Sequence, residues 1–293
     1  GAGQSVTTGV QNTLIGALAG DALTASNLNT AVGYQALTAA TTADVNTAIG
    51  AQTLYTNILS DRNVAVGYGA LYTHNQATSV DSYNTAVGYS AGVAVTTGTL
   101  NTLIGGLTGD ALTDADHNVA VGTYALSTDT LGSKSTALGY DALGAQNHTT
   151  ATDTYNTAVG YKTGSEITTG TSNTFVGALA GDATDDGTQN VAVGILALSA
   201  NCGNANTAIG PECLTACTGA NNTGLGKDAG VSVTSGDNNI LLGYQAGVTG
   251  SPGGSISTAD NILVIGDENI SAANIQVDWT VASDKRDKTD VTP

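Results

Sequence analysis

One short phrase, Asn-Thr-Ala-Val-Gly-Tyr, recurs along this chain of 293 residues and constrains its fold more than any other feature. Most copies begin 16 or 17 residues apart, and three longer steps measure 21, 21 and 22 residues. The fifteen copies begin at Asn12, Asn29, Asn46, Asn63, Asn84, Asn101, Asn118, Ser135, Asn156, Asn173, Asn190, Asn206, Asn222, Asn239 and Asn261. A fixed period of this length is typical of a solenoid, in which each repeat forms one rung that packs on its neighbours.

A second period is laid over the first. The variant NTLIG…GDAL begins at Asn12 and Asn101, and NTFVG…GDAT begins at Asn173. The last two copies are 72 residues apart, which is the length of three rungs of 17 residues and one of 21. Successive duplication of a four-rung block explains this pattern.

The recurring phrase itself predicts a β-strand. Its Thr, Val and Tyr residues alternate with Asn, Ala and Gly, which is the period of two found in strands. The first set makes a bulky face and the second a nearly bare face, exemplified by Ala31 and Gly33. We expect the bare face to allow close approach of another backbone and to be buried between chains. The residues after the phrase predict a second short strand and two corners in each rung.

These features predict an all-β protein, a parallel β-solenoid or β-roll of about 14–15 rungs of roughly 17 residues. Stacked rungs about 4.8 Å apart make a rod roughly 70 Å long. The conformational entropy lost when so many residues become ordered is barely offset by the free energy gained from burying mostly small side chains. We therefore expect a homotrimer, because threefold assembly buries more surface per chain.

Net charge and the distribution of apolar residues exclude two classes of partner, and the formal net charge is −17. Residues 1–282 carry only Arg62, Lys134, Lys162 and Lys227 against 21 acidic residues. Nucleic acid binding requires clusters of Lys and Arg on the body, so no nucleic acid partner is expected. No membrane insertion is expected either, because no stretch approaches the ~20 apolar residues of a span.

The repeat resembles two families of surface fibres. It is similar to the Asn-Ser-Val-Ala-Ile-Gly repeats in head domains of trimeric autotransporter adhesins, whose chains form left-handed parallel β-rolls. It resembles still more closely the 17-residue repeats in the shafts of phage tail fibres and spikes. The resemblance covers residues 12–266, although the adhesin repeat is commonly a few residues shorter.

The last eleven residues resemble the start of the endosialidase-type intramolecular chaperone, Ser-Asp-x-Arg-x-Lys-x-x-Ile. Ser283 and Lys288 match the Ser–Lys pair with which that family releases its chaperone, and Asp284 and Arg286 match flanking positions. Asp287 departs from the family, which usually has an apolar residue there. The resemblance implies self-cleavage at Ser283 only with a complete chaperone domain, and otherwise no enzyme activity.

The resulting domain organisation has four parts. They are an N-terminal lead-in (1–11), a repetitive shaft (12–266), a connecting strand or neck (267–282) and a truncated start of a chaperone domain (283–293). In the neck, apolar residues alternate with polar ones around Trp279, which is the only tryptophan and is expected to plug the end of the rod or the trimer neck.

The remaining candidate residues give weak signals, and no cofactor or metal is expected. Cys202 and Cys217 lie at nearly equivalent corners, which leaves open a disulfide or, as reducing conditions favour, buried free thiols. The three histidines, His74, His117 and His148, are expected to face solvent. Asp21, Asp110 and Asp182 are equivalent but too far apart to share a metal, and a corner with Asp182, Asp185 and Asp186 is a weak calcium candidate.

The sequence therefore predicts a structural virion protein, the shaft of a phage tail fibre or spike with a role in host attachment. It would assemble in the host cytoplasm and act outside the cell, with partners that include other tail proteins and a host receptor, glycans among the candidates. The longer steps predict projecting loops at Tyr72–Thr78, Gly144–Thr152 and Val248–Ser257 that could contact this receptor. The alternatives are a bacterial trimeric adhesin head, or a polysaccharide-degrading spike whose catalytic module lies elsewhere.

Overall fold

The computed structural model describes residues 1–272 as a parallel β-solenoid, which confirms the predicted all-β fold. Its strands are β1 (Thr13–Ile15), β2 (Thr30–Val32), β3 (Thr47–Ile49), β4 (Ser60–Asp61), β5 (Val64–Val66), β6 (Val80–Asp81), β7 (Thr85–Val87), β8 (Thr102–Ile104), β9 (Val119–Val121), β10 (Gly132–Ser133), β11 (Thr136–Leu138), β12 (Thr152–Asp153), β13 (Thr157–Val159), β14 (Thr174–Val176), β15 (Val191–Val193), β16 (Thr207–Ile209), β17 (Thr223–Leu225), β18 (Ile240–Leu242) and β19 (Leu263–Ile265). Fifteen of these strands, one per rung, form a single parallel sheet along the rod.

Most rungs have one strand, so the prediction of a second strand in every rung is wrong. The rest of the rung is a series of turns in which left-handed residues recur, such as Gln35, Leu37 and Val45 with φ of 56°, 53° and 60°. These backbones still bond to the next rung, as when Leu37 N donates to Thr53 O at 2.9 Å. Within residues 1–272, a second ladder occurs only where each 21-residue rung stacks on the rung before it, with β4 paired to β6 and β10 paired to β12.

The Asn that opens each phrase forms a ladder along the interior. The backbone N–H of Asn46 donates to Oδ1 of Asn29, and that of Asn63 donates to Oδ1 of Asn46, both at 2.9 Å. The Nδ2 of Asn46 in turn donates to the carbonyl of Ser60, 2.9 Å away. The backbone-to-Oδ1 bond is made by Asn29, Asn46, Asn63, Asn84, Asn101, Asn118, Ser135, Asn173, Asn190, Asn206, Asn222, Asn239 and Ile262. The buried amide therefore fixes the register between rungs.

The ladder corrects the sequence alignment of the last rung. Ile262, and not Asn261, takes the ladder position, since its N–H donates to Oδ1 of Asn239 at 2.9 Å. The strand register agrees, because Ile240 pairs with Leu263. The last step is thus one residue longer than the sequence match suggested.

The glycine at position 5 of each phrase lies where no side chain fits. Gly50 has φ of 131°, and a Cβ there would lie 2.4 Å from the carbonyl oxygen of Gly67 in the next rung. The close approach of another backbone that the bare positions predicted is therefore present, and the neighbour is the next rung of the same chain.

The interior is filled by complementary pairs of side chains. Position 3 of the phrase and the residue six places later point into the same space. Where the first is Ala48 the second is Leu54, and where the first is Phe175 the second is Gly181. A large first residue meets a glycine in the pairs Leu14–Gly20, Leu103–Gly109, Phe175–Gly181 and Leu241–Gly247. This exchange of bulk explains why NTLIG and NTFVG phrases are followed by a Gly-Asp segment.

This packing predicts the effect of adding one methyl group at Gly181. A Cβ there would lie 2.3 Å from Cε2 of Phe175, so Gly181→Ala should cost about 1–3 kcal/mol of stability through overpacking. Its φ of 60° adds strain, and Gly253→Ala measures that strain alone because a Cβ at Gly253 meets nothing within 4 Å. Thermal unfolding of both variants is the measurement. Equal shifts in midpoint would contradict the packing explanation.

Candidate functional site

The outward-facing strand positions of the fifteen-stranded sheet carry no charged side chain. Two columns of side chains run along it, and no member of either column is buried. The Thr column comprises Thr13, Thr30, Thr47, Val64, Thr85, Thr102, Val119, Thr136, Thr157, Thr174, Val191, Thr207, Thr223, Ile240 and Leu263. The Val column comprises Ile15, Val32, Ile49, Val66, Val87, Ile104, Val121, Leu138, Val159, Val176, Val193, Ile209, Leu225, Leu242 and Ile265. We call these two columns the outer face.

The outer face is large enough to bind another protein. Fifteen rungs at about 4.8 Å and a stripe roughly 10–14 Å wide give an area on the order of 700–1,000 Å². A specific interface buries about 800 Å² on each partner, and monomers rarely expose apolar patches of more than a few hundred Å². The outer face thus has the size and chemistry of an interface.

This geometry overturns the predicted roles of the two strand faces. Ala31, Ala48 and Ala65 have no exposed surface because they point into the rod, packed by their own chain. The bare face therefore lies inside each chain and does not form the interface between chains. An alternating pattern identifies two faces, but it gives no direct indication of which one faces inward.

Exposed tyrosines border the outer face two residues beyond the Val column. Tyr68 stacks on Tyr89, and Tyr140 stacks on Tyr161, each with ring centroids 5.6 Å apart. These rings remain about half exposed. The stacking occurs because equivalent residues of successive rungs lie directly above one another.

The four basic residues of residues 1–272 each have an aspartate partner. Arg62 lies 2.7 Å from Asp81, and Lys134 lies 2.5 Å from Asp153. Lys162 and Lys227 pair with Asp141 and Asp228. These pairs are largely exposed and contribute little stability. Arg62 also lies over Tyr83 and Lys134 over Tyr155, so a cation at the end of the preceding rung meets an aspartate and a tyrosine of each 21-residue rung.

The long steps form projecting loops, but smaller ones than predicted. The exposed segments are residues 77–79 and 149–151 in the two 21-residue rungs, and most of 249–255 in the last long step. Residues nearer the strand stay in the stack, as Thr73 and Asn75 donate to backbone carbonyls of the next rung. The insertions therefore lie at one corner of the rod.

Two histidines predicted to face solvent are buried in these long rungs. His74 has no exposed surface, and His148 is 6% exposed, whereas His117 is exposed as predicted. Neither ring nitrogen of His74 or His148 has a hydrogen-bond partner. Burial lowers the pKa of His74 to about 4, although a backbone contact with Thr96 acts in the opposite direction.

Around His148 lies a buried polar cluster formed by Asp129, Ser135, Gln146, Thr154 and Asn156. Burial acts to raise the pKa of Asp129, but the imidazole of His148 3.9 Å away, the hydrogen bonds from the backbone N–H groups of His148 and Gly132, and the Gln146 amide outweigh it and leave the pKa lowered. The cluster occurs where Ser135 replaces the ladder Asn. Sequence reasoning missed it because its members are scattered over almost thirty residues.

The three cysteines are buried free thiols. Burial raises the pKa of Cys213 to about 12 and that of Cys217 to about 11, so both thiols stay protonated at neutral pH. Cys202 lies 3.2 Å from the hydroxyl of Thr184. Of the two alternatives that the sequence left open, the structure has the free thiols.

The other predicted sites do not come together. Asp21 accepts a hydrogen bond from Thr38, and Asp185 accepts one from Thr168. Among residues 1–272, no three His, Cys, Asp or Glu side chains are grouped as metal ligands. In the same part of the chain, no helix has the length and apolarity needed to cross a bilayer. Ser283 and Lys288, with Trp279, lie outside the described residues.

Comparison of the chain with protein-family models, curated proteins and solved structures found no match to any of them. The interpretation of its surfaces therefore depends on the geometry described above and on the repeat itself.

The buried state of His74 predicts a loss of stability in acid. Its folded pKa of about 4 lies below the ordinary 6.5, so only the unfolded chain takes up a proton between these values. Stability should therefore fall as pH drops from about 6.5 to 4, by roughly 3 kcal/mol for this group. His74→Leu should remove this part of the pH dependence, since Leu112 fills the same position in another rung.

Thermal unfolding between pH 4 and 7.5 measures the effect. His117→Gln is the matched control, because His117 is exposed and its substitution should leave the profile unchanged. A profile that His74→Leu does not flatten would show that other groups cause the acid sensitivity.

Proposed function

We propose that this chain is the shaft of a homotrimeric surface fibre, with the outer face as the interface between subunits. The observation that carries the proposal is the outer face itself, with thirty unburied positions and no charged residue among them. A cyclic trimer places the same face of each chain towards the central axis, so one repeated surface closes the assembly. This arrangement leaves the acidic residues and the loops at the outside.

We favour a phage tail fibre or spike as the identity of the protein, because of the 17-residue repeat and the resemblance at Ser283 and Lys288 to an intramolecular chaperone. Such a shaft would bind other tail proteins at one end and a host receptor, such as a glycan, along its surface or at its tip.

A bacterial trimeric adhesin head is the second candidate, supported by the same repeat. The sequence encoded after Pro293 separates the two, since a chaperone domain favours the phage fibre and a coiled coil with a membrane anchor favours the adhesin. A spike with a separate polysaccharide-degrading module is a third candidate, and release of sugars from capsular polysaccharide by the full-length protein would identify it. Self-cleavage beside Ser283 is expected only of a protein with the complete chaperone domain.

The trimer is tested by placing charge on the outer face. Ile104 and Ile209 are 38% and 40% exposed, so Ile104→Lys with Ile209→Lys should leave each rod folded. In a trimer the same lysines would be buried without partners, which strongly disfavours assembly. We expect light scattering to give a trimer for the wild type and a monomer for the variant, with unchanged circular dichroism.

Thr78→Lys with Ala151→Lys is the control pair, because both residues lie on exposed loops and should not affect assembly. A wild-type protein that is monomeric, or an outer-face variant that remains trimeric, would overturn the proposed interface.

A role of the loops in host contact is tested by shortening them. Replacing residues 77–79, 149–151 and 249–255 by the shorter connections of regular rungs should keep the stack intact. We expect binding to host cells to fall to background while the trimer persists. Unchanged binding would place receptor contact on another part of the fibre.

A further inference from the structure

The buried polar cluster of the second long rung contains the parts of an intramolecular reaction. Ser135 supplies a hydroxyl and Gln146 supplies a carboxamide, and both are buried. The Nε2 of Gln146 lies 2.9 Å from Oγ of Ser135. Since the amide C–N bond is about 1.33 Å long, Oγ lies within about 4.2 Å of the amide carbon. Reacting atoms need to approach to about 3–3.5 Å, so a small rotation of the Gln146 side chain suffices.

The hydrogen bonds of the hydroxyls direct the Ser135 oxygen towards Gln146. The hydroxyl of Thr154 donates to the carbonyl of Ser133 at 2.9 Å, which uses its only proton. The Oγ atoms of Ser135 and Thr154 are 2.5 Å apart, so Ser135 must be the donor in this pair. The lone pairs on Oγ of Ser135 then face Gln146, whose Nε2 donates a hydrogen bond to them.

The groups around the carboxamide match the changes that attack on it would cause. The Nδ2 of Asn156 donates to Oε1 of Gln146 at 2.9 Å, where negative charge would develop. The Oδ2 of Asp129 lies 2.5 Å from Nε2, the nitrogen that would leave. Asp129 is itself held by the backbone N–H groups of Gly132 and His148, each 3.0 Å away. Complete burial keeps out the water that would hydrolyse the product.

We propose that Ser135 and Gln146 form an intramolecular ester cross-link. A bond forms between Oγ of Ser135 and Cδ of Gln146 while the Cδ–Nε2 bond breaks. The hydroxyl proton leaves its hydrogen bond to Thr154 and is transferred directly to the departing Nε2, which lies 2.9 Å from Oγ and is held by Asp129, and one molecule of ammonia leaves. No oxidant, reductant or co-reactant is required. The link spans the inside of the rung in which Ser135 replaces the ladder Asn.

The first long rung provides an internal comparison. The residues 72 positions earlier are Asn57, Asn63, His74, Ser82 and Asn84, in place of Asp129, Ser135, Gln146, Thr154 and Asn156. That rung therefore has neither the hydroxyl at the ladder position nor the carboxamide opposite it. The same fold accommodates an unlinked rung, and the cross-link is expected in the second long rung alone.

Mass spectrometry of the purified full chain tests the cross-link. The intact mass should be lower than the sequence mass by one molecule of ammonia. A protease that cleaves before aspartate separates Ser135 and Gln146 into peptides 129–140 and 141–152. We expect these two peptides to remain joined and to separate on treatment with hydroxylamine. A folded protein that has the full sequence mass and yields separate peptides would overturn the proposal.

Two variants locate the bond and test the positioning of Gln146 by Asp129. Ser135→Asn introduces the ladder residue of the other rungs, so it should fold and show the full mass with separate peptides. Asp129→Asn keeps both reacting groups and copies Asn57, so it should fold and raise the unlinked fraction. Linked peptides in Ser135→Asn would place the bond elsewhere, and unchanged linkage in Asp129→Asn would remove Asp129 from the mechanism. Circular dichroism confirms folding in each case.

Discussion

The constraint on which the rest of the structure depends is the stacking of each rung on the next at one fixed spacing. A rung of 16 or 17 residues has too little interior to satisfy its own backbone groups, so its N–H and C=O groups bond to the neighbouring rungs. The ladder Asn makes this stacking specific. Asn46 accepts from the backbone of Asn63 through Oδ1 and donates to Ser60 through Nδ2, which ties one buried side chain to the end of its own rung and to the start of the next.

Fixed spacing also limits the size of the interior, and the composition follows from that limit. The space beside most strands accommodates Ala with Leu, or a larger residue with Gly, and the only phenylalanine, Phe175, faces Gly181. A rod this thin buries small side chains and leaves Val, Ile and Leu of the Val column outside. Its own fold thus satisfies the backbone while a long apolar surface remains, and assembly of several chains is the physical means of burying it.

The period of the sequence was sufficient to predict the rung, the position of its strand and the parallel stacking. It was insufficient to predict which strand face lies inside, because Thr30 and Val32 are the bulkier residues and yet the interior has room only for Ala31. It also misplaced the last rung, since Asn261 matches the phrase while the hydrogen bonds select Ile262. His74 and His148 lie close in sequence to the exposed loops, so the sequence predicted exposure. The stacked structure buries both side chains.

The two long rungs show how polar residues become buried in such a rod. His74 and Gln146 occupy a position of the rung that is apolar elsewhere, as at Leu112, so a polar side chain there needs partners from its neighbours. Asn57, Asn63 and His74 in one copy correspond to Asp129, Ser135 and Gln146 in the other, so three positions differ together. Replacing Gln146 alone by an apolar residue would leave its buried hydrogen-bonding neighbours without that partner, at a cost of about 1–3 kcal/mol. We therefore expect these three positions to change together as the two copies diverge. As a result, each long rung has its own set of buried polar residues.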